Sequence, residues 1–278
     1  MSEAGLRRIW LCADDYGLSP AVSAAIRDLI AGRRINATSA MMPAPSFSPA
    51  EAAALDAAAG QHAAIGLHLT LTAPFRPSTA GFAPTRDGAF LPLAAMAGRA
   101  LVRWLRPEDL ELEIVRQFSA FHAAFGRAPD FVDGHQHIHV FPQICEALLR
   151  VIKDAAPGAW LRQCGRSAAA RKSFANPKGY VLDALSARLA RLAARAGVRT
   201  NPAFAGTYSF APSADFTKLF PDFLHGLPDG GVVMCHPGKV DDELRRLDPL
   251  TDLREREYAY FLDDEFPRLL AARGVALD

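Results

Sequence analysis

The chain has 278 residues, of which 50% are hydrophobic and 22% are charged. This composition is typical of a folded globular protein and excludes a disordered tail or a fibre. Lysine and arginine exceed aspartate and glutamate by a net charge of only +1, so no strong field favours a nucleic-acid partner. No stretch approaches the roughly 20 consecutive apolar residues of a membrane-spanning helix, so we expect no integral membrane segment and a small-molecule partner.

The cysteines lie far apart and lack the close spacing of a zinc knuckle or a redox pair; they are Cys12, Cys145, Cys164 and Cys235. A reducing compartment is the simpler interpretation. The apolar run at residues 9–13 ends at two aspartates, before it reaches the length of a signal-peptide core. We therefore predict a cytoplasmic protein.

Short apolar runs alternate with longer helical stretches, which is the pattern of parallel strands joined by crossover helices. Strands are predicted near residues 8–13, 37–42, 64–69, 131–134, 159–163 and 231–235. Helices are predicted over 20–31, 48–59, 107–125, 142–155, 180–196, 214–224 and 249–272. No change in composition divides the chain, so residues 1–278 are predicted to form one barrel-sized α/β domain.

Two irregular segments are too long to be simple connections and are predicted to be loops over a site. The first covers residues 72–94, and the second covers 200–212 and includes Tyr208. The aromatic side chains of the second segment either offer a surface to a ligand or close the barrel as a plug.

Ionisable residues fall where the predicted strands end, and the carboxyl ends of parallel strands form the ligand-binding face of such folds. In chain order they are Asp14, Asp15, His68, Asp133, His135, His137, His139, Arg162 and His236. We therefore expect side chains from separate parts of the chain to meet at one rim of the barrel.

Neighbouring side chains of an extended chain point to opposite faces, so Asp14 and Asp15 are not expected to do the same job. One of them could hold a metal ion while the other accepts a proton. A turn that caps a helix is an equally good interpretation of two adjacent acids taken alone.

The segment Asp133 to His139 alternates polar and other residues with a period of two, which predicts an extended backbone with Asp133, His135, His137 and His139 on one face. Imidazole nitrogen is a good ligand for zinc and similar ions. Same-face positions lie about 6.5–7 Å apart along a strand, so one histidine is expected to be the ligand while the others orient it, contact substrate or shape the floor. The alternative is a histidine cluster satisfied by backbone and water.

His68 alone would be an ordinary core histidine, but at a strand end it can complete a carboxylate-and-histidine site with open positions for water and substrate. His236 can donate a proton to a leaving group, because its unperturbed pKa is close to physiological pH. Arg162 interrupts an apolar strand and must pair when buried. Asp14 is a candidate partner, either within the site or in a plain structural ion pair.

The candidate residues lie in four ordered segments. The segments are Ala13-Asp14-Asp15-Tyr16-Gly17-Leu18-Ser19, Gly66-Leu67-His68-Leu69, residues 133–142 with Asp133-Gly134-His135-Gln136-His137-Ile138-His139 at their start, and Val233-Met234-Cys235-His236-Pro237. They resemble, in order, the motifs of the YdjC-like carbohydrate deacetylases, a family that includes chitooligosaccharide deacetylases and hopanoid-associated members. The similarity runs from near the N-terminus into the last third of the chain.

The resemblance implies a variant (β/α) barrel of the glycoside hydrolase/deacetylase type and one divalent metal ion, Mg²⁺ or Zn²⁺. By position, Asp15, His68 and His135 match the metal ligands, Asp14 the general base and His236 the general acid. His137, His139, Arg162, Asp133 and Tyr208 are then expected to bind substrate or to support the site.

Cys12 stands where members of the family often carry Asn, and Gly134 and Gln136 stand where the chitooligosaccharide enzymes tend to have Ser and His. None of these departures removes a proposed ligand. They bear on which sugar is preferred, because pocket residues set orientation and fit.

The predicted function is the removal of acetyl groups from an N-acetylated saccharide or from the head group of a glycolipid; the sequence leaves a homodimer open. Other metal-dependent barrel amidohydrolases or esterases are the first alternative, although they usually carry a His-x-His pair where this chain has Asp14 and Asp15. A barrel that binds a glycan or a metal without catalysis is the second alternative.

Overall fold

The structure is a computed structural model that describes residues 6–173 and 177–277. Its strands are β1 (Arg7–Arg8), β2 (Trp10–Tyr16), β3 (Ala37–Ala40), β4 (Ala64–Leu69), β5 (Thr85–Arg86), β6 (Ala89–Phe90), β7 (Phe131–Gly134), β8 (Trp160–Leu161), β9 (Phe204–Ala205), β10 (Val232–Cys235) and β11 (Val275–Ala276). Its helices are α1 (Pro20–Ala31), α2 (Pro49–Ala59), α3 (Leu93–Leu101), α4 (Pro107–Phe125), α5 (Pro142–Ala155), α6 (Ala168–Ser173), α7 (Pro177–Ala196), α8 (Phe216–Phe223), α9 (Asp242–Leu247), α10 (Asp252–Leu262) and α11 (Glu265–Ala272).

A parallel sheet of seven strands forms the centre of the molecule, in the order β8-β7-β4-β3-β2-β10-β9. Six of these strands match the predicted ones. The seventh strand, β9, lies in the segment 200–212, which was predicted to be a loop. It was not predicted because two residues are too few to produce a periodic signal.

The two edges of the sheet are joined by backbone hydrogen bonds. The Leu161 N–H of β8 donates to the Arg199 carbonyl at 2.8 Å, and the Phe204 N–H of β9 donates to the Gly165 carbonyl at 2.9 Å. Leu161 and Thr200 also form an isolated parallel bridge. The sheet therefore curves until its edges meet, and the predicted fold class, an α/β barrel, is confirmed.

Helices α1, α4 and α5 have the predicted bounds, and α2 differs by one residue at its start. Each begins with Pro in its first turn, where a missing N–H donor is harmless. The predicted helix 249–272 is two helices, because α10 ends before Asp263 and α11 begins at Glu265. The predicted loop 72–94 contains the antiparallel pair β5 and β6. Among the described helices, none combines the length and the apolar character needed to cross a bilayer.

The strand that carries His68 approaches its neighbour closely at Gly66. A Cβ atom at Gly66 would lie 2.5 Å from the ring of Phe131 on β7. The ring of Phe131 in turn stacks on Trp160 of β8, with centroids 4.6 Å apart. The position of β4 therefore depends on glycine at residue 66, because the aromatic ring occupies the space that a side chain would need.

We predict that Gly66→Ala lowers the free energy of unfolding by about 1–3 kcal/mol, because the added methyl group overpacks the contact with Phe131. Urea unfolding followed by circular dichroism measures the change. The matched control is Gly98→Ala on α3, where an added Cβ meets no atom within 4 Å. That control is expected to leave stability unchanged or to raise it by up to about 1 kcal/mol, through the better helix propensity of alanine. Equal stability of the two variants would contradict the packing argument.

Candidate active site

Asp14 and Asp15 are adjacent near the carboxyl end of β2, yet their side chains face different partners. Both Asp14 oxygens accept hydrogen bonds from Arg162, at 2.7 and 2.8 Å. Asp15 faces His135 and His68 instead, and its φ of +70° lies in the left-handed region that non-glycine residues rarely adopt. The two carboxylates are separated, as expected from the sequence, but by this left-handed turn at Asp15 and not by the alternation of an extended chain.

Asp15, His68 and His135 form a buried group whose potential ligand atoms all lie within 4.8 Å of one another. Asp15 Oδ1 is 3.0 Å from His135 Nδ1 and 3.3 Å from His68 Nε2. Ligand atoms bound at about 2.0–2.2 Å to one ion lie about 3–3.5 Å apart, so these separations suit one shared cation. The carboxylate and imidazole donors suit a divalent ion such as zinc.

The His68 ring is oriented by Asp133 and Ser39. Its Nδ1–H donates to Asp133 Oδ1 at 2.6 Å, and Ser39 Oγ lies 2.9 Å from the same nitrogen while it donates to Asp133 Oδ2. Because a carboxylate only accepts hydrogen bonds, Nδ1 must carry the proton in this contact. The ring is thereby turned so that Nε2 faces Asp15. A carboxylate on the far nitrogen of a histidine is the usual support for a metal ligand.

The pKa of His68 indicates that its surroundings stabilise positive charge. Burial alone would lower the pKa of His68, but the Asp133 carboxylate at Nδ1 and the Asp15 carboxylate at Nε2 raise it to about 10. Burial would likewise raise the pKa of Asp15, but Arg254 and His135 hold it well below its usual range. The site therefore favours positive charge at Nε2, where either a proton or a divalent cation can supply it.

A second group with metal-ligand spacing is Cys12, Asp14 and Asp133. Here the Arg162 guanidinium already pairs with both carboxylates, and its Nη2 lies 2.6 Å from Asp133 Oδ2. Burial raises the pKa of the Cys12 thiol well above its usual value, so it stays protonated. This group is a poor metal site, because an arginine supplies its counter-charge and a neutral thiol is a weak ligand. The predicted pairing of Arg162 with Asp14 is confirmed.

The predicted extended backbone from Asp133 to His139 is wrong. The pairing of β7 with β4 ends at Leu69 and Gly134, so no neighbouring strand supports an extended continuation. Residues His135–Val140 form 3-10 turns interrupted by a kink at Gln136 and His137, whose φ values are +54° and +57°. The side chains of the segment consequently diverge, and only His135 of the three histidines lies in the group with Asp15 and His68.

His137 and His139 turn toward Cys164, whose Sγ lies 3.6 Å from His137 Nδ1 and 3.8 Å from His139 Nε2. His139 Nε2–H donates to the Arg162 carbonyl at 2.8 Å. Burial lowers the pKa of His137 to about 3 and that of His139 to about 4, so both rings are neutral. His139 is fully buried and supports the backbone beneath the site, whereas His137 reaches the cavity described below.

His236 follows β10 at the carboxyl end of the barrel. Its backbone N–H donates to Glu257 Oε2 at 2.6 Å, and its ring packs edge-on against Phe210. Within the described residues, its Nδ1 has no hydrogen-bond partner, and burial lowers the pKa of the ring. The preceding Cys235 is buried in the core, as predicted.

A cavity of about 450 Å³ brings the candidate residues together, a volume within the roughly 300–1,000 Å³ of small-molecule sites. Its lining includes Asp14, Asp15, His135, Gln136, His137, Thr207, Phe210, His236 and Arg254. A larger cavity of about 950 Å³ lies between α8, α10 and α11, but none of the predicted site residues lines it. The smaller cavity is therefore the candidate active site, because the predicted site residues line it, whereas the larger cavity offers only a greater volume.

Tyr208, predicted to bind substrate or to support the site, is not among the residues that line the smaller cavity. Its hydroxyl donates to Glu257 Oε1 at 2.6 Å, and its ring packs on Phe210 with centroids 4.2 Å apart. Thr207 and Phe210, its neighbours in the segment 200–212, line the cavity instead. The alternative of an aromatic packing role describes Tyr208 better than direct contact with a ligand. Asp133 and Arg162 are also fully buried and act from behind the cavity wall.

The polar residues that contact this site without having been predicted from the sequence include Ser39, Arg254 and Glu257. Arg254 Nη2 donates to Asp15 Oδ2 at 2.6 Å, and Glu257 bonds to His236 and Tyr208. None of the three belongs to a local motif with metal-ligand spacing. The only available signal was the run of charged residues on α10, which an exposed helix also shows.

The chain matches the family model described as YdjC-like protein over residues 8–272. It is 26% identical over 247 residues to a chitooligosaccharide deacetylase from Escherichia fergusonii, an alignment that covers 84% of this chain and 82% of that protein. A solved structure described as a proposed cellobiose-phosphate cleavage protein, from Enterococcus faecalis, has a TM-score of 0.74 at 21% identity and covers 98% of this chain and 97% of that one. A lactam utilization protein from Thermus thermophilus has a TM-score of 0.52 at 16% identity, with 97% and 98% covered.

The two solved structures share the fold of this chain over 98% and 97% of its length. The family match covers nearly every residue and includes all four of the segments whose resemblance was noted in the sequence. This protein belongs to the YdjC-like family.

Proposed function

We propose that this protein is a metal-dependent carbohydrate N-deacetylase, which hydrolyses the acetamide of an N-acetylated saccharide, free or as the head group of a glycolipid. The observation that carries the proposal is that Asp15 and His135 line one cavity with Asp14 and His236. The same two residues share metal-ligand spacing with the buried His68 behind that cavity. The similarity to a chitooligosaccharide deacetylase supports the choice of substrate class. A cytoplasmic location stays a prediction from the sequence, which leaves a homodimer open.

Asp15, His68 and His135 would hold the metal ion. A bound divalent cation supplies Lewis-acid chemistry, which polarises an acyl carbonyl and makes water more acidic. Either Mg²⁺ or Zn²⁺ is proposed, and the two imidazole donors favour zinc. The chain's own part is to keep the three donors together, with the His68 ring turned so that Nε2 faces Asp15.

Asp14 is proposed as the general base. Its two oxygens accept from the two terminal nitrogens of Arg162, a two-pronged arrangement that fixes the plane of the carboxylate. Asp14 lines the cavity, so an oxygen of this carboxylate is placed to accept the proton of an attacking water.

His236 is proposed as the general acid that protonates the departing amine. It lines the cavity on the β10 side, and burial lowers its pKa. Its place in the cavity lining is what supports this role, because a general acid must lie within reach of the leaving nitrogen.

The direct test is acetate release from N-acetylated chitooligosaccharides by the full-length protein, with and without a chelator. We expect release that chelation abolishes and that added Zn²⁺ or Mg²⁺ restores. A parallel panel of esters and cyclic amides tests the other metal-dependent hydrolases. Sugar binding without acetate release, or activity that survives chelation, would contradict the proposal.

Replacing the proposed base is expected to separate chemistry from metal binding. Asp14→Asn should lower kcat by about 10²–10⁴-fold, because the amide cannot accept the proton, while calorimetric metal affinity is largely retained. The matched control is Asp56→Asn, which alters an exposed carboxylate paired with Arg127 and should leave kcat unchanged. Full activity of Asp14→Asn on a substrate of the wild type would exclude Asp14 as the base.

The pairing of Arg162 with two carboxylates also predicts a stability effect. Arg162→Met should lower the free energy of unfolding by about 3–5 kcal/mol, because Asp14 and Asp133 would stay buried without their counter-charge. Arg150→Met, which removes an exposed partner of Glu111, is the control and should cost less than about 1 kcal/mol. Urea unfolding compares the two, and equal losses would show that the buried network is not what stabilises the barrel centre.

A further inference from the structure

Helix α10 carries four consecutive charged residues that divide between two faces. Arg254 and Glu257 are almost fully buried, whereas Glu255 and Arg256 between them are exposed. Buried charges are unfavourable unless they are paired, so the contacts of the two inward residues reveal what they do for the molecule. Both of them reach the candidate active site.

Arg254 occupies one oxygen of the proposed metal ligand. Its Nη2 donates to Asp15 Oδ2 at 2.6 Å and to Asp248 Oδ2 at 2.8 Å, and its Nε donates to the Leu250 carbonyl at 3.0 Å. The other oxygen of Asp15 is the one that faces His135 and His68. Because each oxygen has its own partners, the carboxylate cannot rotate freely, and Oδ1 alone is presented to a cation.

Glu257 joins two segments of the chain that line the cavity, one at His236 and the other around Tyr208. Its Oε2 accepts the His236 backbone N–H at 2.6 Å, and its Oε1 accepts the Tyr208 hydroxyl at 2.6 Å. His236 lines the cavity together with Thr207 and Phe210, which lie on either side of Tyr208 in the chain, and the Phe210 ring packs edge-on against the His236 ring. A single buried carboxylate therefore sets the separation between the proposed acid and the segment that covers it.

We propose that Arg254 and Glu257 are positioning residues that serve different halves of the reaction, an inference that rests on the proposed deacetylase function. Arg254 holds Asp15 so that one oxygen binds the metal ion, and Glu257 holds His236 at the distance from which it protonates the leaving amine. Helix α10 thus positions both a proposed metal ligand and the proposed acid.

Two separate roles predict two separate defects, which a merely structural helix would not produce. Supporting partners of metal ligands typically change metal affinity by about 10–100-fold when they are removed. Glu257, the partner of the proposed acid, bonds to His236 and Tyr208 and not to a proposed metal ligand, so its loss should change kcat and the pH profile without changing metal affinity. If α10 only stabilised the fold, both substitutions would lower the unfolding temperature and leave these two readouts alone.

The experiment compares Arg254→Gln and Glu257→Gln with Arg256→Gln and Glu255→Gln, which make the same changes on the exposed face of the helix. Each full-length variant is stripped of metal and titrated with Zn²⁺ by calorimetry, and kcat, KM and the pH profile are then measured on an N-acetylated chitooligosaccharide. Thermal unfolding establishes that each variant is folded. Arg254→Lys is included, because a lysine keeps the charge but lacks the separate Nε donor that bonds to the Leu250 carbonyl and fixes the guanidinium.

We expect Arg254→Gln to bind Zn²⁺ about 10–100-fold more weakly than Arg256→Gln, with Arg254→Lys also weakened. We expect Glu257→Gln to bind Zn²⁺ like the wild type but to lose kcat far more than KM changes, with a displaced limb in its pH profile. If Arg254→Gln does not fold, Arg254→Lys carries the comparison.

Equal zinc affinity in the Arg254 and Arg256 variants would overturn the role of Arg254. Unchanged kcat in Glu257→Gln, or a loss of zinc affinity as large as that of Arg254→Gln, would overturn the role of Glu257. A wild-type protein that binds no zinc or magnesium would instead overturn the proposed function itself, so the two failures are distinguishable.

Discussion

Arg162 lies wholly out of contact with solvent at the centre of the barrel, between the carboxylates of Asp14 and Asp133. Two carboxylates in this position would be strongly unfavourable without a cation, and a guanidinium can pair with both because it presents its donors in a fixed fork. The rest of the site follows from this pairing. Asp133 remains ionised and can therefore accept the His68 proton, while Asp14 is held away from the group that suits a metal ion.

The buried charges continue as an alternating row across the barrel mouth. Asp133 contacts His68, His68 faces Asp15, and Asp15 contacts Arg254, with each carboxylate between two groups that are or can be positive. These contacts give the adjacent Asp14 and Asp15 different surroundings, although both are carboxylates. Asp14 has both oxygens on arginine nitrogens, whereas Asp15 has one oxygen directed at two imidazoles. The backbone turn at Asp15 makes this division possible.

Much of the barrel could be predicted from the sequence, because its strands are short apolar runs and its helices begin with Pro or a capping Ser. The strand β4 and the helices α1, α4 and α5 have the predicted bounds for this reason. The strand β9 was missed because its two residues carry no sequence pattern of their own, and it is defined by its pairing with β10. Local pattern also misled at His135 to His139, where a period of two is compatible with a strand but the neighbouring strand has already ended.

The residues proposed to hold the metal ion were within reach of sequence analysis because they end strands, and the carboxyl ends of parallel strands meet. Ser39, Arg254 and Glu257 were not, since their contacts depend on how distant elements pack. Nothing in the order Arg-Glu-Arg-Glu on α10 indicates which pair is buried. That choice is made by the rotation of the helix against the barrel, which is a property of the tertiary packing.

The most direct measurement of the central claim is an anomalous difference map from crystals of this protein grown with Zn²⁺. We expect one peak among Asp15 Oδ1, His68 Nε2 and His135 Nδ1, at about 2.0–2.2 Å from each. A map without a peak there, or with zinc bound by Asp14 and Asp133 in place of the Arg162 guanidinium, would contradict the claim.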